Sequence, residues 1–227
     1  ALLLVLFLRP DPLAIAREAD AAAHAGRRLG AARSLGAILS DVRVQIALAA
    51  LSVSQFVMIA TTSTSPLYLH DQGHSVGTIG VAVSLHLAGM YVASPLSGWL
   101  ADRLGRLPVI ALGALLLIGA IGLAGLAPGD AGAAIIAGLF LNGVGWNLAF
   151  VSGSALLTDA LSPVERASVQ GFADLLMGLM GAIGSAAGGM ILGIWGFAIL
   201  NAVGAALVLG PLAVALMRRP AVAVQEG

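Results

Sequence analysis

The chain has 227 residues, of which 59% are hydrophobic and only 10% charged, with a formal net charge of zero and no cysteine. Soluble domains carry about 25% charged residues, so this is the composition of a protein whose surface meets lipid. Disulfides and thiolate metal sites are excluded, and all eleven basic residues are arginine.

Residues 1–8 are apolar and run into Arg9-Pro10-Asp11-Pro12. A signal-peptide core is one reading, but no basic segment precedes it and no small-residue cleavage site follows. The reading adopted is the end of a truncated transmembrane helix, since a crossing needs about 20 residues. Residues 9–43 are expected to form a cytoplasmic linker between two halves of a longer protein. They hold Arg9, Arg17, Arg27, Arg28, Arg33 and Arg43 with Glu18, Asp20 and Asp41. Their alanine-rich middle favours helix, with Arg17, His24 and Arg28 on one face. That face suits anionic lipid, and a solvated linker is the other reading.

Six apolar runs follow, at about 45–67, 76–98, 107–127, 133–156, 169–190 and 197–217. Each is long enough to span a bilayer, and in lipid a helix satisfies its own backbone hydrogen bonds. The expected class is therefore an all-α integral membrane protein, with a six-helix bundle over residues 44–217 and a cytoplasmic tail over 218–227. The breaks fall at His70-Asp71-Gln72-Gly73-His74, at Asp102, at Pro128-Gly129-Asp130, between Asp159 and Arg166, and at Gly193-Ile194-Trp195-Gly196.

The arginines orient the runs. Those before the first run, Arg103 and Arg106 after the second, Arg166 after the fourth, and Arg218 and Arg219 after the sixth all fall on one side. The opposite loops hold His70, Asp71, His74 and Asp130. The arginine side is expected to be cytoplasmic, which puts the linker and C-terminus inside a multi-pass protein of the cell membrane.

Polar side chains are shared unevenly. The first run has Ser52, Gln55, Thr61 and Thr62, and the second has Ser84, His86, Tyr91 and Ser94. The fourth has Asn142, Asn147, Ser152 and Ser154, and the fifth has Gln170, Asp174 and Ser185. The third has none and the sixth only Asn201, with Trp195 at its edge. Since polar groups avoid lipid, runs one, two, four and five should line an interior and runs three and six should face outward. That order, repeated twice, describes two three-helix units. The fifth run also places Gly181, Gly184, Ser185, Gly188 and Gly189 at spacings that favour close helix contact.

The turn between the second and third runs reads Gly98-Trp99-Leu100-Ala101-Asp102-Arg103-Leu104-Gly105-Arg106. Gly98 lets helix ends approach and Gly105 allows a tight backbone turn. Asp102 is placed to cap a helix or to pair with Arg103 or Arg106. This G-x-L-A-D-R-x-G-R pattern resembles the signature of the major facilitator superfamily. The resemblance implies a C-terminal six-helix half of two inverted triple repeats, with its N-terminal half missing from this chain. It implies that Gly98, Leu100, Asp102, Arg103, Gly105 and Arg106 form a gating loop that braces the bundle. Pro163-Val164-Glu165-Arg166 with Gln170-Gly171 resembles the family's loop before the fifth helix of a half, which would put Glu165 and Arg166 in a cytoplasmic ion-pair network.

Within the spans, His86 and Asp174 are the proton-coupling candidates, because both are titratable groups placed among apolar residues. The other readings are an imidazole bonded to a neighbouring helix and a carboxylate that caps or pairs near the inner end. Gln55, Asn142 and Asn147 are either substrate-cavity residues or interhelical polar contacts. No phosphate loop, nucleophile elbow, metal-spaced histidine pair within a span or basic nucleic-acid-binding domain is present, so no catalytic residue, metal or cofactor is expected. No basic residue lies inside a span, so nothing here would hold a multiply anionic substrate. The expected function is proton-coupled efflux of a neutral or cationic lipophilic compound by alternating access. The alternatives are a nutrient or metabolite proton symporter and a non-transporting half-length membrane protein. The expected partners are lipid, a small-molecule substrate, protons and the other half.

Overall fold

The computed structural model describes residues 33–128 and 130–217. The expected stub, most of the linker and the C-terminal tail lie outside the described residues. The described part is helical: α1 (Leu35–Leu39), α2 (Val42–Asp71), α3 (Val76–Tyr91), α4 (Ser94–Leu104), α5 (Arg106–Gly125), α6 (Gly132–Asp159) and α7 (Pro163–Met217).

Five stretches are long and apolar enough to cross a membrane: α2, α3 with α4, α5, α6 and α7. Helix α7 has 55 residues, about 80 Å at 1.5 Å per residue, against a hydrocarbon core of about 30 Å. It is not continuous. Gly196 at φ 84°, ψ 175° breaks it into an N-terminal arm (163–195) and a C-terminal arm (197–217). Six crossings result, with the last turn at the glycine-bounded segment expected from sequence.

Local chemistry sets the helix starts. Asp41 Oδ1 accepts from Arg43 N–H at 2.9 Å to open α2, and Ser75 Oγ accepts from Thr78 N–H at 3.2 Å to open α3, as N-caps do. The second crossing is not one straight helix. It breaks after Tyr91 and restarts at Ser94, with Pro95 in the first turn of α4. Proline has no N–H to donate and its ring crowds the preceding turn, so the break falls just ahead of it.

The first helix of each triple packs on the second helix of the other. Helix α2 lies on the N-terminal arm of α7, and α6 lies on α3. Gly184 and Gly188 make the first contact close: a Cβ on either would come within 2.6 Å of Phe56 O or 2.8 Å of Ala60 O. Helix α5 packs on α6 and on the C-terminal arm of α7. The inner sides meet in a core that includes Leu51, Val57, Ile110, Leu117, Leu157 and Val208. Lipid is as apolar as these side chains, so van der Waals fit rather than burial from water holds them together.

The outer faces differ in kind. On α5 and the C-terminal arm of α7 the exposed residues include Leu112, Leu115, Leu123, Val203, Leu207 and Leu209, with no polar side chain among the outward positions within either span. Both helices also contribute their inner sides to the core. Helix α3 and the N-terminal arm of α7 expose Ser84, Tyr91, Asp174 and Ser185 instead.

Candidate functional site

Three groups of polar residues stand out. The first is the charged turn. Gly105 sits at φ 90°, ψ 160°, a backbone region essentially reserved for glycine, and so turns α4 directly into α5. That turn brings Arg106 over two carboxylates: its Nη1 meets Asp102 Oδ1 at 2.5 Å and its Nε meets Asp159 Oδ2 at 3.2 Å. The Arg103 guanidinium lies 4.7 Å from the centre of the Trp99 ring. Leu100 packs half-buried beside Ala101, Val109 and Leu148, and nothing lies within 4 Å of where a Gly98 Cβ would stand. The result is one cation joining adjacent ends of α4, α5 and α6. Asp102 and Asp159 are more than half exposed, so each pair is worth at most about 1 kcal/mol. Its value is positional.

The second group lies between α2, α3 and α6. His86 is 1% exposed. Its Nδ1 is 2.9 Å from Leu139 O and its Nε2 is 3.3 Å from Thr62 Oγ1. A carbonyl only accepts, so Nδ1 carries the proton and Nε2 of the neutral ring accepts from the Thr62 hydroxyl. The imidazole thereby ties three helices. About two turns further along α6, Asn147 spans the break in the second crossing. Its Nδ2 donates to Met90 O at 2.6 Å and to Ser94 Oγ at 2.8 Å, and Ser97 Oγ donates to its Oδ1. Next to it Trp146 Nε1 donates to Gln55 Oε1 at 2.8 Å, joining α6 to α2. Asn142, one helical turn from Trp146, is 1% exposed, and neither of its amide atoms has a hydrogen-bond partner. Gln55 and Asn147 thus bond to neighbouring helices.

The third group is the start of α7. Glu165 is 3% exposed and its Oε2 accepts from Ser162 N–H at 2.9 Å, half of a capping box that satisfies a helix-end donor. Arg166 is exposed beside it. Asp174 points away from the bundle and accepts from Gln170 Nε2 at 3.2 Å. It shares its exposed stripe with Gly171, Gly178, Ala182, Ser185 and Gly189, while Val169, Ala173, Met177, Gly181 and Gly184 face the core. His86 and Asp174 therefore occupy different environments, one enclosed and fully bonded, the other on an open face. Among the described residues no group of three His, Asp or Glu is placed to hold a metal.

Asp159 and Trp146 were not singled out from sequence. Asp159 had a readable signal, an acid closing the fourth run on the side where the arginines collect. Trp146 had none, because an indole in an apolar run does not announce its partner.

Comparison with known proteins agrees with this architecture. The family model of the Major Facilitator Superfamily matches residues 46–226. An uncharacterized MFS-type transporter of Bacillus subtilis, YddS, is 35% identical over 96% of this chain and 51% of its own length. The riboflavin transporter RfnT of Brucella anthropi is 34% identical over 64% of this chain and 36% of its own length. The multidrug resistance protein MdtL of Klebsiella pneumoniae is 36% identical over 46% of this chain and 26% of its own. The crystal structure of a D-xylose-proton symporter superposes with a TM-score of 0.63 at 16% identity, over 79% of this chain and 48% of that one, which shows the shared fold. The chain spans about half the length of the first of these relatives, and its named relatives are transporters rather than enzymes.

Proposed function

Because the chain belongs to the Major Facilitator Superfamily, we propose that it supplies one six-helix half of a carrier that exports a neutral or cationic lipophilic compound in exchange for protons, by alternating access. The observation that carries this reading is the open face of the N-terminal arm of α7. A carboxylate against lipid is costly, yet Asp174 faces outward in a stripe of glycine, alanine and serine. Such a face belongs against protein or a water-filled path. The other half of the carrier would cover it, and substrate would pass between the two.

In this reading Asp174 is the proton-carrying group, because it is the one carboxylate among the described residues that lies within a span and is open to a path. His86 is a tie between helices, since both of its ring nitrogens are already engaged. The Asp102–Arg106–Asp159 cluster holds the inner ends of three helices in one access state. The described arginines stand at helix ends or ahead of the first described helix, namely Arg33, Arg43, Arg103, Arg106 and Arg166, so the spans offer no cation to a multiply anionic substrate. One relative is named for multidrug resistance and another for riboflavin, and both names point to organic small molecules.

The test is ethidium accumulation by everted membrane vesicles with an acidic lumen, from cells that express the chain in its native reading frame. Accumulation that collapses with a protonophore is expected. Asp174→Asn should abolish it, while His86→Gln retains it. Full activity in Asp174→Asn overturns the role of Asp174. Proton-driven uptake of a dicarboxylate or phosphorylated compound into intact cells overturns the export reading.

A further inference from the structure

We propose that Gln55, held in one orientation by Trp146, is the polar anchor for the carrier's organic ligand: its carboxamide donates to a hydrogen-bond acceptor, such as a carbonyl oxygen, on a lipophilic molecule lodged beside the N-terminal arm of α7. The inference rests on the export reading above and narrows its substrate class. Gln55 belongs to a half-buried stripe of α2 that runs Ser52, Gln55, Ile59 and Thr62. Three of these four side chains are polar, so the stripe does not suit lipid. A site for a small organic molecule is mostly apolar with a few placed polar groups that fix its orientation, and Gln55 has the geometry of such a group.

An indole N–H only donates, so the oxygen of the carboxamide must face Trp146, which it does at 2.8 Å. That contact decides which end of the amide is left. Nε2 lies toward α7, 3.4 Å from the place that a Gly181 Cβ would occupy. Because residue 181 is glycine, it puts no side chain over Nε2. Nε2 donates to no described residue, and unlike the amide of Asn142 it is not sealed from solvent. A contact that served only to join α2 to α6 would be complete with Oε1. The nitrogen instead keeps two donors in a partly enclosed place, where leaving them unmade is costly. Ile59, 3.6 Å from the same Gly181 position, and half-buried Phe150, stacked on Trp146 at 4.9 Å, supply apolar surface nearby. Gly181 stands seven residues along the arm from Asp174, about 10 Å at 1.5 Å per residue, so the anchor and the proposed proton-carrying group share one arm. The site offers donors and no charge. It selects a compound with a carbonyl, ether or ring-nitrogen acceptor over one that has none.

The experiment compares two fluorescent cations that differ in one group: tetramethylrhodamine methyl ester, and tetramethylrosamine, which lacks the ester. Binding to the whole chain, purified in detergent from cells that express it in its native reading frame, is read by fluorescence anisotropy. The ester should bind about fivefold more tightly, as one net hydrogen bond provides. Gln55→Glu keeps an acceptor for Trp146 and removes both donors. Its charge acts on the two cations alike, so their affinities should become equal. Gly181→Ala places a methyl group at ordinary contact distance from Nε2 and should also bring the two toward equality. Trp146→Phe frees the carboxamide to turn and should lower the preference to about twofold at unchanged helical content, which a merely structural contact would not do. Either of the first two variants suffices if the other does not fold, as judged by gel filtration. Equal binding by the unaltered chain overturns the proposal, and so does an ester preference that survives both Gln55→Glu and Gly181→Ala. Transport is scored apart, in acidic-lumen vesicles. The expected binding pattern without proton-driven transport overturns export and leaves the anchor standing, whereas transport without an ester preference overturns the anchor alone.

Discussion

Asn147 makes three hydrogen bonds to the broken second crossing, and replacing it tests whether that break is held from α6. In Asn147→Ala, the Ser97 hydroxyl keeps a partner, because it also lies 3.1 Å from Ala93 O. The Met90 carbonyl and the Ser94 hydroxyl lose their donor. Interhelical polar contacts in membrane proteins average about 0.6 kcal/mol each, so the two lost bonds amount to about 1.2 kcal/mol. Asn147 is 2% exposed, and the space left by its amide adds a packing loss, for a total of about 2 kcal/mol. That corresponds to roughly a 30-fold shift in the unfolding equilibrium. Asn147→Asp has the same shape but offers only acceptors to the Met90 carbonyl and buries a charge, so it should lose more than Asn147→Ala. The assay is reversible unfolding in mixed detergent micelles, paired with hydrogen exchange of residues 88–97, which should accelerate in both variants. If Asn147→Asp is as stable as Asn147→Ala, the amide is not acting as a donor and the clamp is refuted. If exchange rises evenly across the bundle, the effect is not local to the break.

Other outcomes follow from the packing and the charged turn. Gly184→Leu should sharply lower the folded yield, since a Cβ alone would meet Phe56 O at 2.6 Å and backbone cannot step aside. Gly178→Leu, with nothing within 4 Å of its Cβ position, should leave the yield of this chain unchanged in detergent gel filtration, and equal yields would contradict the α2–α7 contact. Arg106→Ala should lower the melting temperature only slightly at low salt and hardly at all in molar salt, because its pairs are largely exposed and screened. Arg106→Lys should recover part of the loss, as a single ammonium cannot reproduce two contacts made from different atoms of the guanidinium. A large salt-independent loss would mean that Arg106 contributes through packing instead.

The membrane class, the six crossings and the charged turn could all be read from the amino-acid order. Each depends on a window no longer than one helix: about 20 apolar residues commit to crossing, and Gly105 and Gly196 mark turns because few other residues tolerate their backbone angles. Polarity did not rank the crossings by burial: the third, with no polar side chain, is packed more deeply among these helices than the second, whose Ser84 and Tyr91 are exposed. The exact ends were less legible: α2 begins at Val42 and runs on to Asp71, past the boundaries that hydropathy suggests.

The partners of the polar residues were decided only by the tertiary structure. Helical spacing fixes which side chains share a face, but not which neighbour that face meets. That depends on how each helix is rotated and tilted against the others. Asn147 and Gln55 looked equally suited to a substrate cavity and to interhelical contact, until the packing of α6 set one against the break after Tyr91 and the other against Trp146. Arg106 reached Asp159, 53 residues away, only because α4, α5 and α6 end at the same level. The same rotation enclosed His86 and turned Asp174 outward, two titratable residues that the sequence alone presented on equal terms.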